Sequence, residues 1–186
     1  MAAVDSRVLV RAAEAADAAS LGEFILSAWK SAGADAPGFA GATDQNIAEL
    51  AERRTIGTII GDPDAAVWLA ITDEEVVGFA ATRTLDNSTL ELAGVIVDPA
   101  QTGRGVGKAL VRHAIDAHGR TRVAQIIVRT EPTNARAIGF YQSLGFEERR
   151  TVTERVGDRE LRLLELALVD VDRKQIPDGF DETGQQ

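Results

Sequence analysis

Arg7-Val8-Leu9-Val10-Arg11 alternates polar and apolar side chains, the period of a half-buried strand. Leu21, Phe24, Ile25, Ala28 and Trp29 then fall at i, i+3, i+4, i+7 and i+8, the stripe of an amphipathic helix, with Asp17 or Ser20 near its start. The stretch from Gly33 to Gly41 holds Pro37 and three glycines and predicts a loop. Asp44 is placed to cap a second helix that buries Ile47, Leu50 and Ala51, before Gly61-Asp62-Pro63-Asp64 breaks the chain.

Two strand-like runs follow, Val67 to Thr72 and Val76 to Thr84, separated by Asp73-Glu74-Glu75 at hairpin spacing. A third runs from Thr89 to Val97 after the turn Asp86-Asn87-Ser88, which gives three sequential antiparallel strands. From Val106, the positions Leu110, Val111, Ala114 and Ile115 carry a helical period as far as Gly119, and Ala124 to Val128 is an apolar run of strand length. That order is a strand, helix, strand crossover. Asn134 to Leu144 reads as a short helix closed by Gly145, and Glu147 to Arg155 pairs with Arg159 to Leu168 around Val156-Gly157-Asp158. The polar stretch 169–186, with Pro177, Gly179 and Gly184, reads as a tail beyond a domain of residues 1–168.

Composition narrows the function classes. A chain of 186 residues that is 45% hydrophobic is the size of one domain with one sizeable core. Without cysteine, a disulfide framework, a thiolate metal site and a catalytic thiol are excluded, and His113 and His118 are too few for a histidine-rich metal centre, so no metal is expected. No basic region followed by an apolar run opens the N-terminus, and no run nears the ~18 apolar residues of a membrane span, so a cytoplasmic protein with no membrane partner is expected. A net charge of −9 disfavours nucleic acid, which needs a basic face, and suits cationic substrates. Lysine occurs only at Lys30, Lys108 and Lys174; arginine supplies the other positive charges, a bias that suits either a salt-rich cytoplasm or a GC-rich genome.

The candidate chemistry lies between Val95 and Leu110. The run Val95-Ile96-Val97-Asp98-Pro99-Ala100-Gln101-Thr102-Gly103-Arg104-Gly105-Val106-Gly107-Lys108 ends a strand, turns through glycines and opens a helix. Unpaired N–H groups at a helix start, the helix dipole and close backbone approach at glycine make such a turn a seat for a diphosphate over Gly103 to Lys108. A P-loop needs glycine where Thr102 stands and Ser or Thr where Ala109 stands. A dinucleotide fingerprint meets Lys108 in place of its third glycine, and Gln125 where a ribose-binding acid is expected. Both fail.

The run resembles the pyrophosphate loop of GNAT acetyltransferases, (Arg/Gln)-x-x-Gly-x-(Gly/Ala) after a strand ending in Val-x-Pro: Val97-Asp98-Pro99 and Gly105-Val106-Gly107 match, and Thr102 departs. A second block, Asn134-Ala135-Arg136-Ala137-Ile138-Gly139-Phe140-Tyr141-Gln142-Ser143-Leu144-Gly145-Phe146, is similar to the family's Asn-x-x-Ala-x-x-x-Tyr-x-x-x-Gly-Phe. The resemblance covers roughly Arg7 to Leu168. It implies an α/β (α+β) GNAT fold, a mixed and mostly antiparallel sheet of about seven strands flanked by helices. It also implies acetyl-CoA as co-substrate and an N-acetyltransferase acting on a primary amine of a small molecule or a protein. The alternative is a CoA-binding sensor or partner module of the same fold. Dimers are frequent in the family, which leaves a homodimer open.

The same resemblance implies the site. Backbone groups of Val95, Ile96 and Val97 bind the pantetheine like an added strand, Gly103, Arg104, Gly105, Val106, Gly107 and Lys108 hold the diphosphate, and Asn134 contacts the pantetheine or its water. Asn134 is alternatively a helix N-cap, and Arg104 and Lys108 are alternatively a solvated helix face. Glu91 stands four residues before the CoA-contacting triplet, where one branch of the family carries its catalytic base. By strand alternation it shares a face with Ala93, Val95 and Val97. A glutamate used by other members aligns with Arg129, and Glu131 lies nearby on a loop. Tyr141 resembles the tyrosine that protonates the departing sulfur, and is alternatively a core tyrosine packed with Phe140 and Phe146. His113 and His118 receive no chemistry.

Overall fold

The computed structural model describes residues 8–32, 44–118, 123–156 and 159–169. Seven strands, β1 (Leu9–Ala12), β2 (Ala65–Thr72), β3 (Glu75–Thr84), β4 (Thr89–Val97), β5 (Gln125–Thr130), β6 (Glu147–Val156) and β7 (Arg159–Val169), form one sheet in the order β1-β2-β3-β4-β5-β7-β6. Every pairing is antiparallel except β4 with β5, whose parallel register is Thr89↔Gln125 through Leu92↔Val128. A parallel pair needs a crossover, and helix α4 (Val106–His118) supplies it. Its stripe Val106, Leu110, Val111, Ala114 and Ile115 is buried, as its period predicts. Among the described residues no helix is long and apolar enough to cross a membrane.

Helix α1 (Ala18–Ala32) buries Leu21, Ile25, Ala28 and Trp29, with Phe24 partly covered. A 3-10 turn at Ala15–Asp17 precedes it, and Asp17 closes that turn by accepting from the Glu14 N–H at 2.8 Å. Arg11 adds two hydrogen bonds to the same carboxylate, which hold the Asp17 carboxyl below its ordinary range. The expected second helix is two: α2 (Asp44–Ala51) and α3 (Arg53–Ile60), with Glu52 between them extended at φ −61 and ψ 133. The break lets Ile56 of α3 reach the same cluster as Ile47 and Ala51. The side chains of Asp44 and Leu50 lie outside the described residues, as do residues 33–43, the turn Gly157-Asp158 and the expected tail from residue 170; Val169 itself ends β7.

The two faces of the sheet are covered by different helices. One cluster packs Leu90, Leu92, Ile126, Val128, Leu166 and Leu168 against α4 and helix α5 (Ala135–Ser143). On the other face Val67 and Leu69 of β2 meet α1, α2 and α3.

The β2–β3 hairpin turns through Asp73 at φ 51 and Glu74 at φ 67, both left-handed without being glycine, as a two-residue turn of the strands' own twist requires. Glu74→Gly is expected to raise stability by about 1 kcal/mol by removing the Cβ penalty there. An unchanged urea midpoint would show that the strain is relieved elsewhere.

Candidate active site

Against β3, the register of β4 shifts between Ala81↔Gly94 and Thr82↔Leu92, so Ala93 is an extra residue on β4. Such a bulge reverses the side-chain parity of everything beyond it. Leu90 and Leu92 point to the α4 and α5 side, and beyond the bulge Val95 and Val97 pack on that same side. Glu91 therefore faces the opposite way, and the expectation that it shares a face with Val95 and Val97 is corrected.

β4 and β5 part company at the bulge. Their pairing ends at Leu92↔Val128, while β4 continues beside β3 through Val97. On the β5 side, the strand edge from Ala93 to Val97 is left without a strand neighbour, a row of peptide groups available to an extended ligand.

The glycine turn follows directly. Asp98 Oδ1 accepts from Ala100 N–H at 2.9 Å and caps the short turn Pro99–Gln101. Gly103 at φ 81 and Gly105 at φ 79 adopt backbone that only glycine takes without strain, and the direction a Gly103 side chain would occupy is open. The first bond into α4 is Ala109 N–H to Gly105 O at 2.9 Å, which leaves the amides of Val106, Gly107 and Lys108 ahead of it. The Val106 side chain is buried, so only its amide can serve a ligand. Gly107 lies under Phe140: a Cβ there would be 3.2 Å from the ring, so α5 is pressed against the start of α4. The free amides and the dipole of α4 suit a diphosphate at this turn.

Asn134 is the N-cap of α5, its side chain accepting from Ala137 N–H at 3.1 Å. Tyr141 is buried among Leu90, Leu92, Phe140 and Phe146, with ring centroids 5.1 and 5.6 Å from the two phenylalanines. Burial pushes its phenol up to about 12. Tyr141 stays protonated across any ordinary assay pH.

On the opposite face an ionic network crosses the seam. Arg129 of β5 donates from Nη1 to Glu91 Oε1 at 2.9 Å and contacts Glu154 of β6 at the same distance. Its Nε and Nη2 both donate to Glu165 Oε2 of β7, at 3.0 and 2.9 Å, and Arg150 Nε donates to Glu165 Oε1 at 2.8 Å. Glu165 is nearly enclosed, yet every oxygen is answered.

A protein-family model described as the acetyltransferase (GNAT) family matches residues 32–146. The chain belongs to the GNAT acetyltransferase family. It is 32% identical over 100 residues to a peptidyl-lysine N-acetyltransferase of Salmonella typhimurium, covering 52% of this chain and 62% of that protein. It is 39% identical over 75 residues to a ribosomal protein bS18-alanine N-acetyltransferase of Escherichia coli, covering 40% and 49%. The chain thus spans about half the length of the curated relatives it matches. Among solved structures, a PaiA N-acetyltransferase of Thermoplasma acidophilum in complex with coenzyme A superposes with a TM-score of 0.65 at 19% identity, over 86% of this chain and 98% of that one. An N-acetyltransferase of Staphylococcus aureus gives 0.68 at 19% identity. The expected GNAT fold, seven mixed strands with flanking helices, is the fold observed.

Within this GNAT domain the expected site residues fall into two groups. Val95, Ile96, Val97, the loop Gly103–Lys108, Asn134 and Tyr141 gather around the unpaired β4 edge and the α4–α5 junction. Glu91 stands across the sheet from Tyr141. The α1-side partners of Glu91 were not foreseen, since Arg129, Glu154, Glu165 and Arg150 come from three strands that only the folded sheet brings together. Also unforeseen is Arg136 of α5, whose Nη2 donates to Thr102 Oγ1 at 2.7 Å. His113 and His118 both turn their rings edge-on to Trp68, at 5.1 and 6.2 Å, away from the loop.

The network makes an acid-stability prediction. Burial acts against the charge of Glu165, but hydrogen bonds from Arg150 and Arg129 outweigh it and hold the carboxyl below its ordinary range. A depressed folded value means stability that is complete above the unfolded glutamate value, about 4.3, and is lost as pH falls through the folded value. Arg129→Met should cost about 2–3 kcal/mol near neutrality, because Glu165 Oε2 and Glu91 lose their donor while Arg150 still holds Glu165 Oε1, and should flatten part of the acid limb of the stability curve. Equal losses at pH 7 and pH 3 would show that packing, not charge, is what Arg129 supplies.

Proposed function

We propose that the chain transfers acetyl from acetyl-CoA to a primary amine. The observation that carries this reading is the parting of β4 from β5 after Leu92, directly beside the glycine turn. The free edge of Val95 and Val97 suits a pantetheine arm laid as an extra strand, with the diphosphate over Gly103 to Lys108. When bound, acetyl-CoA supplies an activated thioester carbonyl.

The chain's own groups cover the remaining needs. A thioester in the gap between the strands has Glu91 on one side of the sheet and Tyr141 on the other. Glu91 takes the proton of the attacking ammonium, whose reference pKa is about 10.4, while an amide of the β4 edge donates to the carbonyl oxygen. Tyr141, held protonated by burial, gives its proton to the leaving sulfur and recovers one from the nitrogen, which sheds its second proton as the amide forms. The acceptor enters from the Glu91 side. A protein amine is the favoured class, because two relatives are named for a peptidyl lysine and for an alanine of ribosomal protein bS18.

The reading is tested by release of free thiol from acetyl-CoA with a panel of small amines, polyamines, lysine peptides and N-terminal peptides. Release that depends on the amine is expected. CoA binding with no release for any amine would leave a binding module in place of a transferase.

A further inference from the structure

The arginines nearest the sheet network all have carboxylate partners: Arg129 and Arg150 share Glu165, as Arg11 holds Asp17 at the far edge. Arg136 differs. It is exposed in the first turn of α5, and its one hydrogen bond among the described residues is to the hydroxyl of Thr102, with no carboxylate in ion-pair distance. Arg83, Arg104, Arg155 and Arg162 show no ion pair among the described residues either, so what sets Arg136 apart is its bond to the hydroxyl of Thr102, the residue that opens the glycine turn.

Its placement is fixed by packing. Phe140, one turn further along α5, rests on Gly107, so the start of α5 stands over the start of α4. Thr102 adjoins Gly103, where the space beside the backbone is open. Arg104, the loop's own arginine, leans back to Gln101 Oε1 at 3.4 Å. A guanidinium has five N–H donors in a planar fork that matches phosphate oxygens, and the Thr102 bond engages only one of its nitrogens.

We propose that Arg136 is a further charged contact to the diphosphate of the bound acyl-CoA, held ready over the glycine turn by its hydrogen bond to Thr102. The proposal rests on the acyl-CoA reading above. Thr102 acts as the positioning residue: its hydroxyl limits the rotamers of Arg136 before the ligand arrives, which reduces the ordering that binding must impose.

Calorimetry of CoA and of 3′-dephospho-CoA, at several salt concentrations, separates the outcomes. Arg136→Gln should weaken CoA about tenfold and make the affinity less salt-dependent. Arg136→Lys should recover only part, because an ammonium has no fork. Thr102→Val should weaken binding by about threefold with the salt dependence intact, since the charge remains. The Arg136→Gln loss should be the same for 3′-dephospho-CoA, which keeps the diphosphate. Wild-type affinity in Arg136→Gln overturns the proposal alone, as does a loss that vanishes with 3′-dephospho-CoA, which would put Arg136 on the ribose phosphate. Wild-type protein that binds neither compound overturns the acyl-CoA reading itself.

Discussion

Gly105→Glu is expected to lower affinity for acetyl-CoA by about 10²-fold or more, because like charges brought together at a ligand seat cost several kcal/mol. Two effects act at once. At φ 79 any side chain strains the backbone by about 1–2 kcal/mol, and a carboxylate at the helix start competes for the amides and dipole that suit a diphosphate. Gly105→Ala carries the strain without the charge and isolates the second effect. Gly107 is the poorer probe, although the sequence pattern makes the two glycines look equivalent. Its Cβ would press on Phe140, so Gly107→Glu disturbs the α4–α5 contact as well as the seat. Calorimetry showing equal acetyl-CoA affinity in wild type and Gly105→Glu would remove the phosphate seat from this turn.

Glu91→Gln is expected to slow acetyl transfer by about 10²-fold near neutral pH, with much of the loss recovered as the free amine becomes abundant at high pH. The amide oxygen can still accept from Arg129 Nη1, so the substitution removes the base and leaves the contact. Tyr141→Phe should instead lower kcat with little change in KM for acetyl-CoA, because the phenol acts on charge that develops only as the sulfur leaves. Since the Tyr141 phenol sits near 12, wild-type kcat should show no alkaline fall from this group below about pH 11. Full activity of Glu91→Gln across the pH range would move the base to a water chain or to another acid such as Glu131, and leave the transferase reading standing.

Much of the architecture is written locally. The run Thr89–Val97 is β4 with the same bounds, and the stripe from Val106 to Ile115 is the buried face of α4, because burial there follows side-chain period alone. What escapes is what depends on partners. The Ala93 bulge is a mismatch between two strands, and the one local sign of it is the small pair Ala93-Gly94 within a strand. The break at Glu52 leaves no glycine or proline to mark it. Arg129 looks in sequence like the loss of a glutamate. In the sheet it is the centre of a network whose members stand on β4, β5, β6 and β7, and Glu91 cannot be understood without it. Thr102 likewise looks like a missing arginine until α5 brings Arg136 to its hydroxyl.

The short parallel seam joins two parts of the sheet. Strands β2 to β4 form a local meander that β1 joins across three helices, strands β5 to β7 make the rest of the sheet, and four register pairs between β4 and β5 join the two. The joint is fastened differently on its two sides: by Leu90, Leu92, Ile126 and Val128 on one, and by the Glu91–Arg129 pair on the other. Cooling weakens the first kind of fastening and added salt screens the second, so the same seam answers to two independent conditions.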